Sequence, residues 1–117
     1  MNYSAGQGRC GISLWALEGL KSSIAVSSVV ATGTLSPLVV PDGGLAFAVT
    51  YGNYGTGVTW GKLNSDNDVQ NTDSSTGLNW SYSAGSYAYP LGYKALSIGV
   101  TMGGAWADRN GLAISLH

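Results

Sequence analysis

The feature that most constrains this chain is a repeated alternation of large apolar residues with small or polar ones. Residues 96–101 and 112–117 show it most clearly, because Leu, Ile or Val stands at every second position. Residues 12–17 and 24–29 follow the same period of two. Successive side chains of a β-strand point to opposite faces, so this alternation predicts half-buried strands.

Turn-forming residues separate the alternating segments. Pro41-Asp42-Gly43-Gly44 has the composition of a tight turn, and Asn110-Gly111 is a strong hairpin signal. Residues 14–21 favour a helix locally, but Gly19 costs about 1 kcal/mol in a helix interior, so a strand is the preferred interpretation there. We predict about seven strands, at residues 10–18, 24–32, 45–51, 58–63, 78–84, 93–102 and 111–117.

The chain has 117 residues, a length typical of one domain. Short strands at this spacing predict an all-β protein, an antiparallel β-sandwich of jelly-roll type. Residues 1–9 carry no apolar pattern, so we expect them to form a flexible N-terminal arm. Residues 10–117 are then a single β-sandwich domain.

Charged side chains are unusually scarce. They make up 9% of the chain, against about 25% in an average soluble domain. The basic residues are scattered, which disfavours a nucleic-acid partner, and no apolar run is long enough for a membrane helix. Net charge is −1, so copies of the chain repel one another weakly and a homo-oligomer is expected.

Groups that could carry catalysis are also scarce. His117 is the single histidine and the last residue, a position that rarely holds a general base in place. Cys10 is the single cysteine, which excludes an intrachain disulfide. No Gly-x-Ser-x-Gly nucleophile motif occurs. We therefore expect no enzymatic activity and no cofactor.

Residues 64–77 form the longest polar stretch, for which a calcium site is the alternative to a solvated hairpin loop. Asp66, Asp68 and Asp73 supply carboxylates of the kind that Ca²⁺ binds. However, Asn71 occupies the position where an EF-hand requires Gly, and the bidentate Glu is missing. The solvated loop is the preferred interpretation, and the three aspartates are a weak calcium candidate.

The four Trp and seven Tyr exceed what a core of this size needs. Trp15, Trp60 and Trp106 lie in or beside alternating segments and are predicted to be buried. Aromatic residues in or near loops suit binding surfaces, because they combine an apolar body with a polar tip. The candidate interface or ligand-contact residues are Trp80, Tyr82, Tyr87, Tyr89 and Tyr54.

Part of the chain resembles a known group of proteins. The turn Pro41-Asp42-Gly43-Gly44 precedes an apolar strand, and Val58-Thr59-Trp60 follows after a short loop. With the alternating segments at 11–19 and 111–116, this arrangement resembles virion-associated β-sandwich domains of tailed phages and prophages. Those domains have additional N-terminal strands. The resemblance therefore implies open sheet edges here that a partner chain fills.

The favoured function is that of a phage or virus structural protein, located in the virion. It would be a capsid decoration protein or a tail or fibre subunit that self-assembles symmetrically and binds other virion structural proteins. The alternative is a carbohydrate-binding module that stacks a host surface glycan on Trp80, Tyr82, Tyr87 and Tyr89. The first hypothesis predicts an oligomer without ligand, and the second a monomer that binds sugar.

Overall fold

The computed structural model describes residues 13–53, 58–72, 79–92, 96–103 and 107–117. These residues form two packed antiparallel sheets and no helix, which confirms the predicted all-β sandwich. The eight strands are β1 (Ser27–Ala31), β2 (Thr34–Val40), β3 (Leu45–Asn53), β4 (Thr59–Gly61), β5 (Asn64–Thr72), β6 (Asn79–Ala88), β7 (Leu96–Gly103) and β8 (Ala107–Leu116).

The strands pair in a nested order. The five-stranded sheet has the order β1-β8-β3-β6-β5, and the three-stranded sheet has the order β2-β7-β4. Thus β1 pairs with β8, β2 with β7 and β3 with β6, so partners lie progressively closer along the chain. Strand β5 continues the larger sheet beyond β6.

The core fills the space between the two sheets. Every second residue of the facing strands points into it, as the alternation predicts. The indole N–H of Trp60 donates to Ser83 Oγ at 2.9 Å, so its polar atom is satisfied while the ring is buried. The buried cluster consists of Leu35, Leu38, Val40, Ala46, Ala48, Val58, Trp60, Leu63, Tyr89, Ile98, Val100, Met102 and Ala113.

The first predicted strand, at residues 10–18, is wrong over residues 13–18, which the structure describes. Residues 13–18 form no strand and add no rung to either sheet. The alternation there has another cause, because Ser13 and Trp15 face the larger sheet while Leu14 and Ala16 face solvent. Residues 1–12, which include the predicted arm, lie outside the described residues.

Two strands were not predicted, and one predicted turn is absent. β2 contains Pro37, yet it is an edge strand with a register shift between Leu35 and Leu38, the setting in which a sheet tolerates proline. β5 occupies residues predicted as a polar loop. Asn110-Gly111 lies inside β8 rather than in a hairpin, and Gly111 faces Met102 of the opposite sheet.

Candidate functional site

The face of the five-stranded sheet that points away from the core, called here the outer face, is unusually apolar. Ala48 and Ala113 belong to the core, so their neighbours in sequence, among them Phe47, Val49 and Leu112, lie on the outer face. A sheet that packs on one side only commonly presents polar residues on the other. This sheet instead needs a second cover.

Residues 13–20, called here the strap, supply part of that cover. The ring of Trp15 packs on Phe47, with centroids 5.1 Å apart and planes inclined at 55°. The Trp15 indole N–H donates to the Asp66 carboxylate at 2.8 Å. The Tyr82 hydroxyl donates to Ser13 Oγ at 2.6 Å. These contacts hold the strap to β3, β5 and β6 through side chains.

Beyond the strap the chain returns to the edge of the same sheet. Ser22 N–H donates to the carbonyl of His117 at 2.9 Å, and Val26 N–H donates to the carbonyl of Ser115 at 2.8 Å. Lys21 Nζ lies 2.8 Å from His117 Nε2, which accepts a hydrogen bond from the ammonium group. The strap therefore crosses the outer face from β6 towards β8 and leads into β1.

An apolar cleft of about 210 Å³ remains beside the strap. Trp15 forms one wall, and Phe47, Ala48, Val49, Leu112 and Ile114 form the rest. The described residues that line the cleft carry no charged group and offer no acid, base or metal ligand. Its lining can hold an aliphatic or aromatic group, and it has no means of orienting a polar substrate.

Several large apolar side chains around the cleft are exposed. Their exposed fractions range from 36% for Tyr51 to 90% for Leu14. Val30 lies opposite Leu112 in the β1–β8 pair, and Leu112 lies opposite Val49 in the β8–β3 pair, so the row crosses three strands. The exposed members, called here the apolar patch, are Leu14, Val26, Val30, Tyr51 and Leu112.

The aromatic candidates do not form one platform. Tyr82 is 6% exposed beneath the strap, and Tyr89 is 8% exposed with its hydroxyl donating to the carbonyl of Lys62. The expected exposure of both is therefore wrong, because each ring is buried by packing. Tyr87 is exposed, and its ring meets Tyr89 edge-on at 4.7 Å. Tyr82 and Tyr87 lie on opposite faces of β6, since their positions differ by an odd number and successive side chains of a strand alternate between faces.

The other aromatic candidates have mixed outcomes. Trp80 lies in β6, but its side chain is outside the described part of the structure, as are Tyr54 and Trp106 as a whole. Trp60 is buried in the core as predicted. Trp15 is half-buried against the outer face rather than between the sheets.

The solvated-loop interpretation of residues 64–77 is wrong for its first nine residues. Asp66 and Asp68 lie in β5, and the Asp66 carboxylate accepts the Trp15 indole hydrogen bond. The side chain of Asp68, and all of Asp73, lie outside the described residues. Among the described residues, no three His, Cys, Asp or Glu side chains are grouped as a metal site.

The strap, which is central to this surface, is the feature that sequence reasoning missed. The alternation of residues 12–17 did not identify it, because Leu14 and Ala16 of the apolar set face solvent while Ser13 and Trp15 face the sheet. Alternation alone does not distinguish a strand in a ladder from an extended segment that crosses a sheet face.

No family model matches this chain, and comparison with curated proteins and solved structures found no match. The described residues contain no helix with the length and apolarity needed to span a bilayer. The surface itself is therefore the basis on which a function is inferred.

The bond between Tyr82 and Ser13 gives a direct test of the strap. Tyr82→Phe removes the hydroxyl donor, and we expect the free energy of unfolding to fall by about 1 kcal/mol. Ser13→Ala should cost a similar amount, and the double variant should cost little more than either single one. Urea denaturation measures all three. Tyr87→Phe on the same strand is the control. If the losses of unfolding free energy in the two single variants add up in the double variant, the contact is contradicted.

Proposed function

We propose that the protein is a phage or virus structural protein, a capsid decoration protein or a tail or fibre subunit, that works by self-association. The observation that carries the proposal is the apolar patch on the outer face. Large exposed apolar surfaces mark sites of association. Burying them stabilises a complex by about 25 cal/mol for each Å² removed from water.

The composition supports association as well. Net charge is −1 with 9% charged residues, so copies meet with little electrostatic repulsion. The apolar patch contains no charged side chain whose burial would oppose contact. A protein built to remain a monomer would be expected to place Lys or Glu on such a face.

The nested strand pairing supports a jelly-roll assignment within the proposal. In that fold the first strand of the chain pairs with the last, the second with the last but one, and so on inwards. Viral capsid proteins and lectins both use this fold. A shared fold does not determine function. The choice of a virion role draws on the Pro-Asp-Gly-Gly and Thr-Trp segments, whose resemblance to virion-associated domains was described above.

The carbohydrate-binding alternative has less support from the described residues. Its stacking platform required Tyr82 and Tyr89 at the surface, and both rings are buried. Tyr87 is exposed beside Tyr89, but a single ring edge-packed against a buried one offers little stacking area.

Light scattering after size exclusion tests the self-association. We expect a mass that is a fixed multiple of 12.0 kDa, or a filament, across a series of concentrations. A 12.0 kDa monomer at every concentration would overturn the proposal. So would a monomer whose Trp fluorescence changes when an oligosaccharide is added.

The virion location needs a separate test. Virus particles purified from cells that carry the gene should contain the protein in stoichiometric amounts, as measured by quantitative mass spectrometry. Its absence from such particles, with normal amounts in the cell lysate, would contradict a virion role even if the protein is an oligomer.

A further inference from the structure

We propose that the outer face is a two-fold interface between two copies of this chain, in which Leu14 of each strap enters the cleft of the other copy. The inference rests on the proposed self-association and names the surface that performs it. It is carried by an exposed aliphatic side chain and an apolar cleft that lie side by side on one face.

The side chain of Leu14 points away from the sheet. Its neighbours Ser13 and Trp15 contact the sheet through the hydrogen bond with Tyr82 and the ring contact with Phe47. Leu14, between them, is 90% exposed. A side chain held outwards in this way, on a strap fixed on both sides of it, is already positioned for contact and has little further order to acquire.

The size and polarity of the cleft match the side chain of Leu14. The cleft holds about 210 Å³ and is lined by Trp15 and by aliphatic and aromatic residues of β3 and β8. An apolar cavity of about 150 Å³ accepts a group the size of benzene, so the branched side chain of leucine can be accommodated. The cleft offers no hydrogen bond, which matches a leucine better than a polar side chain.

Leu14 and the cleft are placed as a two-fold interface requires. In a two-fold interface the same patch appears on both subunits, so each projection must meet a recess that belongs to the same face. The strap carries Leu14 and also forms the Trp15 wall of the cleft. Both halves of the contact therefore lie on one face of one chain, as a second copy requires.

The exposed area of the apolar patch is large enough for a dimer interface. Taking about 180 Å² for a fully exposed large side chain, the exposed fractions of the apolar patch correspond to about 500 Å². A standard interface buries about 800 Å² per partner, of which about 65% is apolar in homodimers, or about 500 Å². The apolar patch thus supplies the apolar area that a stable dimer needs.

Charged groups are placed at the margins of this surface. Lys21, directly after the strap, lies beside His117 at the end of β8, and Asp66 lies on the edge strand β5 with its carboxylate bonded to Trp15. An interface with an apolar centre and a polar rim follows from this arrangement.

The first experiment compares two exposed leucines by light scattering. Leu14→Asp introduces a charge that the partner's cleft would have to bury, and we expect the dissociation constant to rise about 100-fold or more. Leu14 is 90% exposed, so the variant should fold normally, as circular dichroism will check. Leu91→Asp is the matched control, because Leu91 is 82% exposed in the turn after β6.

The outcomes separate this inference from the proposed function. An oligomeric wild type, with Leu14→Asp dissociated and Leu91→Asp unchanged, supports the interface. An oligomeric wild type with Leu14→Asp unchanged, or with both variants dissociated, overturns the interface and leaves self-association standing. A monomeric wild type overturns both.

A cross-linking experiment tests the contact itself. In a Cys10→Ser background, one sample carries Leu14→Cys and a second, isotope-labelled sample carries Leu112→Cys. Mixing and mild oxidation should yield a covalent heterodimer, since Leu112 lines the cleft. Leu91→Cys mixed with Leu112→Cys is the control. A heterodimer yield no higher than in the control would overturn the proposed contact.

Discussion

Gly85→Ala is expected to lower the free energy of unfolding by about 3 kcal/mol or more, because the added methyl group has no space. A Cβ at this position would lie 2.7 Å from the carbonyl oxygen of Asn64 and 3.0 Å from Cγ of Trp60. The carbonyl belongs to the paired strand β5, and the Trp60 ring is buried and bonded to Ser83. Neither neighbour can move without separating strands or sheets.

Gly33→Ala is the matched control for that variant. Nothing lies within 4 Å of a Cβ built at Gly33, in the turn between β1 and β2. We expect its unfolding free energy to stay within about 0.5 kcal/mol of wild type. Urea denaturation followed by Trp fluorescence compares the two. Equal midpoints for Gly85→Ala and Gly33→Ala would show that the sheets are not packed at the described distance.

Trp15→Ala is expected to lower the free energy of unfolding by about 2 kcal/mol, because it releases the strap. The variant loses the packing on Phe47 and the hydrogen bond to the Asp66 carboxylate. The variant also exposes the ring of Phe47 to water, whereas in the wild type Phe47 is only 6% exposed. Trp15→Phe should retain most of the packing and lose only the bond, at a cost of about 1 kcal/mol.

Leu14→Ala provides the comparison on the same strap. Leu14 is 90% exposed, so the change should alter the unfolding free energy of the isolated chain by about 0.5 kcal/mol or less. Urea denaturation is run at a concentration where the wild type is monomeric. If Trp15→Ala and Leu14→Ala had the same midpoint, the strap would contribute nothing to the cover of the outer face.

The sequence was sufficient to predict the strands that have one clearly apolar face. Residues 96–101 lie in β7 and residues 112–116 lie in β8, since alternation reports burial on one side of a strand directly. The sequence was insufficient to predict β5, which is a polar edge strand. Its ladder hydrogen bonds are made by backbone groups, so the side chains show no apolar alternation. β2 contains Pro37, which disfavours a central strand because it lacks a backbone N–H, although an edge strand accommodates it.

The candidate surface was harder to predict than the fold. The tyrosines were identified as exposed because they were expected near loops, but burial of Tyr82 depends on a strap 69 residues away in sequence. The position of Trp15 over Phe47, rather than in the core, depends on which face of β3 is left uncovered. Such facts belong to the packing of distant segments, which local alternation and composition do not specify.

The position of β8 has a consequence for how the protein acquires its fold during synthesis. β8 lies between β1 and β3 in the larger sheet, so until residues 107–116 have left the ribosome β1 has no partner in that sheet and β3 is paired with β6 on one side only. A nascent chain that ends before β8 exposes two apolar strand edges at once, and such edges invite aggregation. The larger sheet can therefore be completed only after β8 has been synthesised.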